Sequence, residues 1–325
     1  MNERIDALVA SIDERIRKKS YGEQPLELYE PIRYIMNLGG KRIRPLLAIL
    51  AYRLFKDDVD DIIEPVLAIE MFHNFTLMHD DIMDNAPIRR GFPTVHEKWN
   101  SNTAILSGDA MMIKAYDQLL GVKPSLLPTA IKEFNECALK VCEGQQLDMN
   151  FESLTAVSEE QYLHMISLKT AALIGFSLKF GGILAESGPA ECQALQEFGH
   201  YMGLGFQLTD DLLDVYADKN KFGKQVGGDI ISNKKTYLLI KAQECGSQGD
   251  KEALRRWFSG KNLDAKEKVA EVVKIYDRLD IKGLTEKAIG AYFENGLARL
   301  DAIPVPEERK KDLKRVVEYL IYREK

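Results

Sequence analysis

The sequence predicts an all-α protein, a single-domain bundle of about ten or more helices spanning residues 1–325. Two observations predict it. Apolar residues recur at three- and four-residue steps along most of the chain, and no stretch sustains the alternation with β-branched residues that a sheet would need. From Glu64 to Met83 the period runs through Val66, Ile69, Phe72 and Leu77. Similar periods cover Pro45–Phe55, Thr103–Leu120, Ile131–Cys142, Glu159–Phe180, Ala190–Tyr216 and Lys234–Glu244. Breaks are expected at Gly39-Gly40, Asp57–Asp61, Ala86–Pro93, Pro124–Pro128, Gly181-Gly182, Ser187–Pro189 and Lys219–Gly228. Ser158 followed by Gln161 has the form of a capping box. Arg255–Lys325 is more charged and reads as closing helices, and no linker or shift in composition marks a domain boundary.

The bulk composition narrows the function. Forty-four basic against fifty acidic side chains give a net charge of −6, which argues against general affinity for nucleic acid or anionic membrane. An anionic substrate must then be held by local Lys and Arg clusters or by metal. Cys137, Cys142, Cys192 and Cys245 form no CxxC pair and read as reduced thiols of a cytoplasmic protein. Met1–Ser20 is charged and amphipathic rather than a signal peptide. The longest apolar stretch, Ala171–Leu184, is interrupted by Ser177 and Lys179 and falls short of the roughly 20 residues that span a bilayer.

Asp-Asp-x-x-Asp occurs three times, and context separates the copies. Asp57, Asp58 and Asp61 sit in a dense acidic run before a helix, where carboxylates favour the helix N-terminus and solvate a turn. Asp80-Asp81-Asp84 and Asp210-Asp211-Asp214 instead end long apolar helices, facing the unfavourable end of the dipole. Residues i and i+4 share a helix face, so Asp80 converges with Asp84 and Asp210 with Asp214. Like charges so gathered need a countercharge. Mg²⁺ supplies it, because this ion joins one or two carboxylates to substrate phosphate oxygens. Basic residues flank both copies: Gly39-Gly40-Lys41-Arg42-Ile43-Arg44, then Arg89-Arg90, then Phe222-Gly223-Lys224 and Asn233-Lys234-Lys235-Thr236. Flexible backbone with paired cations suits a diphosphate.

With these motifs in this order, the chain resembles the trans-isoprenyl diphosphate synthases, or polyprenyl synthetases, over Pro31 through Lys241. The matching blocks are Gly39–Pro45, His73–Asp84 with Arg89-Arg90, Lys169-Thr170, Gln207–Asp214 with Gly223-Lys224, and Asp229–Thr236. The resemblance implies an isoprenoid synthase-like bundle around a central substrate cavity. It also implies Mg²⁺-dependent, head-to-tail condensation of isopentenyl diphosphate with an allylic diphosphate, and a homodimer. Asp80, Asp84 and Asp210 would ligate three Mg²⁺ ions, with Asp81, Asp211 and Asp214 behind them. Lys41, Arg44, His73 and Arg90 would grip isopentenyl diphosphate. Arg89, Lys169, Thr170, Gln207, Lys224 and Lys234 would hold the allylic diphosphate. Phe75 and Thr76, upstream of the first cluster, would limit the product to C15–C20. The bland readings stand beside these: His73 and Phe75 could simply be core residues of their helix. A class I terpene cyclase would differ in its second motif and would not need Lys41 and Arg44. A non-catalytic subunit would tolerate lost motif residues, and none is missing.

Overall fold

Glycine placement explains much of how the helices meet. The computed structural model describes residues 3–217, 227–260 and 264–321. In chain order the helices are α1 (Glu3–Lys18), α2 (Leu26–Asn37), α3 (Ile43–Tyr52), α4 (Ile63–Met83), α5 (Val95–Lys98), α6 (Ser101–Leu119), α7 (Leu127–Ser153), α8 (Glu159–Ile166) and α9 (Ala172–Leu184). They continue as α10 (Pro189–Tyr216), α11 (Gly228–Ile231), α12 (Tyr237–Cys245), α13 (Gln248–Ser259), α14 (Ala265–Arg278), α15 (Ile281–Asp301) and α16 (Glu307–Ile321). The predicted capping box is present: Ser158 and Gln161 satisfy each other's backbone N–H groups at the start of α8.

Two compact units can be distinguished. The first comprises residues 1–137, 173–196 and 300–316. Within it α4 pairs most extensively with α6. A chain of aromatic rings fills its core: Phe72 meets Phe134 at 5.2 Å, Phe134 meets Phe176 at 5.8 Å, and Phe176 stacks on Phe180 at 5.3 Å. The first acidic copy is on the surface as expected, with Asp57, Asp58 and Asp61 exposed and Asp57 paired to Arg309 at 3.2 Å.

Two expected breaks need correction, and a third, Ala86–Pro93, holds but has structure of its own. Gly181-Gly182 does not interrupt a helix; both residues are buried inside α9. A Cβ on Gly181 would lie 2.1 Å from the Ala48 carbonyl oxygen of α3, so the glycine marks close helix contact rather than a turn. Ala86–Pro93 is a small hairpin, with β1 (Ile88–Arg89) antiparallel to β2 (Phe92–Pro93) and Ile88 opposite Pro93. Arg90 and Gly91 turn it with positive φ, 54° and 81°. Its strands are too short to show as alternation in sequence. Finally, Pro124–Pro128 ends earlier than expected, because Pro128 occupies the first turn of α7, where no N–H is missed.

The second unit comprises residues 138–172, 197–299 and 317–325. Between α8 and α9 the helix widens into a π segment, Ser167–Ala171. Glycines approach it from two directions: a Cβ on Gly144 of α7 would lie 2.3 Å from the Lys169 backbone nitrogen, and one on Gly203 of α10 would lie 2.4 Å from the Ala171 Cα. The continuous helix Glu159–Leu184 is the one described helix long and apolar enough to cross a membrane, but 72% of its apolar window is buried in the protein.

Gly181→Ala tests the close contact. An open helical site would gain up to about 1 kcal/mol from this change. Here overpacking against Ala48 is expected to cost about 1–3 kcal/mol, read as a lower midpoint in urea unfolding.

Candidate active site

In the first unit the site begins at a buried cation. The loop between α2 and α3 turns at Gly39, Gly40 and Arg42, all with positive φ. Arg42 is 3% exposed, and its guanidinium donates to Asp13 at 2.8 Å, Glu70 at 2.7 Å and the Met36 carbonyl at 2.8 Å. So satisfied, it is an anchor for the loop, and its neighbours Lys41 and Arg44 are set by it. Lys41 is exposed. Arg44 Nη1 lies 3.0 Å from His73 Nε2 on α4. Because guanidinium only donates, Nε2 accepts and the imidazole is neutral with its proton on Nδ1. Burial, then the cationic Arg44 and Arg90, hold the His73 pKa well below its ordinary value. Burial likewise lowers Arg44 to about 10, and Arg90 adds to that. Arg44 Nε is buried with no hydrogen-bond partner. Arg90 Nη1 donates to the Gly39 carbonyl, and its guanidinium lies so close to Gly40 that a Cβ there would be 3.1 Å from Nη2. Arg44, His73, Arg90 and the Gly39–Lys41 loop thus come together as expected. They form a cationic group, with the buried Glu70 acting on both Arg44 and Arg90.

The acidic end of α4 divides its work. Asp81 turns inward, 2% exposed, and accepts from Arg89 Nε at 2.8 and 2.9 Å and from Nη2 at 2.6 Å. This fork fastens the hairpin to α4, helped by Thr94 Oγ1 donating to the Ala86 carbonyl at 2.7 Å. Burial raises the Asp81 carboxyl against the lowering effect of Arg89. Asp80 is half-buried and Asp84 exposed at the helix end. The predicted pair therefore lies one turn apart with Asp81 committed elsewhere. Upstream, the Phe75 ring lies 4.8 Å from His79 and 5.6 Å from Phe72, and Thr76 Oγ1 donates to the His73 carbonyl at 2.8 Å.

In the second unit a hydrogen-bonded relay runs from the π segment to the other acidic motif. Thr170 Oγ1 meets Gln207 Oε1 at 2.8 Å, and Gln207 Nε2 donates to Asp211 Oδ1 at 3.0 Å. Tyr162 donates its hydroxyl to the other Asp211 oxygen. Burial, with Asp229 nearby, pushes the Asp211 carboxyl up to about 8. Lys169 extends from the same π segment to Asp148 at 2.5 Å. Asp214 Oδ2 accepts from the Asp229 backbone N–H at 2.9 Å. Burial raises the Asp229 carboxyl, Asp214 and Asp210 raise it further, and Lys234 opposes them. The Lys234 N–H donates to the Asp229 carbonyl at 2.9 Å. Behind it Lys268, 5% exposed, donates to Asn233 Oδ1 at 2.5 Å, where Asn233 holds φ of 62°. Lys224 lies outside the described residues.

The sequence reading missed Asp148, Tyr162 and Lys268, and took Asp229 only as part of a block. Asp148 falls four residues after Gly144, the glycine against Lys169, so that spacing was an available signal. Tyr162 and Lys268 are far from the motifs in sequence and carry no local mark.

A magnesium ion fits the acidic ends. Among the described residues no three His, Cys, Asp or Glu side chains gather into a ready-made metal cage. Mg²⁺ does not need one, since it keeps waters and takes one or two carboxylates together with phosphate oxygens. The donors offered by Asp80 and Asp84 are oxygens only, which suits a hard cation.

The polyprenyl synthetase family model matches residues 25–276. The chain belongs to the polyprenyl synthetase family. This polyprenyl synthetase is 38% identical over 315 residues to the short chain isoprenyl diphosphate synthase of Methanothermobacter thermautotrophicus, covering 96% of this chain and 95% of that one. A crystal structure of a geranylgeranyl pyrophosphate synthase superposes with a TM-score of 0.95 at 39% identity, over 100% of both chains. The geranylgeranyl pyrophosphate synthetase of Pyrococcus horikoshii gives 0.91 at 33% identity, over 99% of this chain and 98% of that one. The all-α isoprenoid synthase fold and the trans-prenyltransferase class follow. The family is magnesium-dependent in general and joins isopentenyl diphosphate to allylic diphosphates.

Tyr162→Phe removes one donor from a buried carboxyl while keeping the ring. The expected loss is about 1–3 kcal/mol of stability by urea unfolding. Turnover should fall with it, because Asp211, the acceptor that orients Gln207, then loses one of its own donors.

Proposed function

We propose that this polyprenyl synthetase condenses isopentenyl diphosphate with dimethylallyl, geranyl or farnesyl diphosphate. The product is an all-trans C15–C20 prenyl diphosphate, with C20 slightly favoured. One observation carries the reading: the cationic group of Arg44 and Arg90 around neutral His73, with the buried Arg44 Nε left unpartnered. Such a group calls for an anion with several acceptor oxygens, and a diphosphate provides them.

Lys41, Arg44, His73 and Arg90 bind isopentenyl diphosphate in this reading. Arg89 keeps Nη1 for the allylic diphosphate, since Nε and Nη2 hold Asp81. Lys169, Thr170, Gln207, Lys224 and Lys234 complete that set. Asp80, Asp84 and Asp210 hold three Mg²⁺ ions, with Asp81, Asp211 and Asp214 orienting them from behind. When bound, such ions would supply positive charge at the leaving diphosphate. The cationic side chains share that work and stabilise the charge that develops as the allylic C–O bond breaks. The double bond of isopentenyl diphosphate then attacks the allylic cation, and holding it close is the task of Lys41, Arg44 and Arg90. No side chain stands out as a strong base: His73 Nε2 already accepts a hydrogen bond from Arg44, and burial and that cation make it a weak base. The departing diphosphate therefore takes the proton. Water must be kept from the cation.

The same reading takes residues 1–325 as one domain, since the family match runs through segments of both units. It makes the enzyme cytoplasmic, in keeping with four free cysteines, and homodimeric. Leu106, Ile113 and Leu120 support the dimer: seven residues apart on and just after α6, they are 61%, 64% and 63% exposed, an apolar stripe suited to a second copy.

Purified protein incubated with Mg²⁺, labelled isopentenyl diphosphate and each of the C5, C10 and C15 starters is expected to give metal-dependent prenyl diphosphates no longer than C20. No product from any starter with folded protein would point to a non-catalytic subunit. Asp80→Ala and Asp210→Ala should each lower turnover by at least about 10³-fold, and near-normal activity in either would refute its role. Phe75→Ala should lengthen the product; unchanged length would make Phe75 an ordinary core ring. Ile113→Glu should convert the dimer to monomer by light scattering, and an unaltered mass would remove α6 from the interface.

A further inference from the structure

A cavity of roughly 590 Å³ lies within the second unit, apart from the residues assigned above. Lys251, Arg255 and Phe258 line it from α13, at helix spacings of four and three that put them on one face. Lys235, just before α12, and Leu239, in its first turn, also line it. Glu152, at the end of α7, is the one acidic residue on its wall. Three cations against one carboxylate is a local excess in a chain whose net charge is −6. Among the described residues, neither Lys251 nor Arg255 has a carboxylate within ion-pair distance, though both sides of the cavity are otherwise laced with such pairs. Lys241, one turn further along α12, is held by Glu159 and Glu244, both at 2.8 Å. Burial pulls the Lys235 ammonium below its ordinary value, with Glu152 opposing. Lys268 Nζ lies over the Phe258 ring, 4.9 Å from its centre, and adds a further cation beside the apolar wall.

The volume is within the range that encloses a small ligand, and the wall offers one cationic edge and one apolar face. We propose that this cavity is a second binding site for a diphosphate bearing a short apolar tail, a prenyl diphosphate. The diphosphate pairs with Lys235, Lys251 and Arg255, and the tail lies on Leu239 and Phe258. A free inorganic anion would leave the apolar face unused, and a bilayer lipid would keep its tail outside the cavity. Lys235 is bonded directly to Lys234, so an occupant that fixes Lys235 also restrains the residue proposed to hold the allylic diphosphate. Occupancy therefore reports the supply of prenyl diphosphate to the enzyme.

Equilibrium dialysis of the full-length enzyme with labelled geranyl diphosphate and Mg²⁺, without isopentenyl diphosphate, tests this. Wild type should bind about two molecules per chain and K251Q/R255Q about one, with turnover at low geranyl diphosphate unchanged. Phe258→Ser should weaken the extra site about tenfold for geranyl diphosphate but leave inorganic pyrophosphate binding as it was. If K251Q/R255Q melts early, R255Q alone, at an exposed position, serves in its place. One molecule bound by wild type, or two by both proteins, would overturn the inference. So would loss of phosphatidylglycerol-vesicle binding in K251Q/R255Q with geranyl diphosphate stoichiometry intact, which would make the cations a lipid contact. A drop from two sites to one in a protein without prenyltransferase turnover would keep the inference and sink the catalytic reading instead.

Discussion

Taking a guanidinium out of water costs several kcal/mol unless every face of it is matched, and Arg42 is matched. Asp13 of α1 and Glu70 of α4 each accept from it, and the Met36 carbonyl at the end of α2 takes a third donor. Three helices are thereby tied to one side chain whose backbone has left-handed φ, 48°. From that fixed point Arg44 follows as the second residue of α3, where it reaches His73, while Gly40 leaves room for Arg90. An unpaired Glu70, 2% exposed, would be as costly as an unpaired Arg42. The triad holds only when complete, and the loop that it holds carries the cations.

The second unit solves the same problem with a carboxyl. Asp211 is 4% exposed, and Tyr162, Gln207 and the Tyr237 N–H direct donors at its two oxygens, the last at 3.4 Å. Asp210, its neighbour in sequence, is half-buried. In each motif the middle aspartate turns inward, Asp81 to Arg89 and Asp211 to Tyr162. This division follows from helix geometry, since a residue next to i points roughly 100° away from the face shared by i and i+4.

That geometry is also why so much could be read from sequence. The 3.6 period located α4, α6 and α10 within a few residues, and the spacing of Asp80 and Asp84 placed both at one helix end. What escaped was whatever depends on distant contact. Gly181 looks like a breaker in sequence and becomes a helix contact only when Ala48 lies across it. Arg42 looks like one more cation of the Gly39–Pro45 block, and only its buried partners separate it from Lys41 and Arg44. The hairpin at Ile88–Pro93 is two residues per strand, below the length at which alternation can appear. Tyr162 has nothing around it in sequence to mark it as the partner of a residue 49 positions away.

The π segment at Ser167–Ala171 sets a phase. Each residue added to or removed from a helix rotates everything beyond it by roughly 100°. The bulge therefore offsets the apolar stripe of α9 from that of α8, and both stripes are buried in that offset arrangement. A chain shortened by one residue here would regain ordinary hydrogen bonding and yet turn Leu173, Ile174 and Phe176 off their seats. The irregularity is thus protected by the regular structure on either side of it.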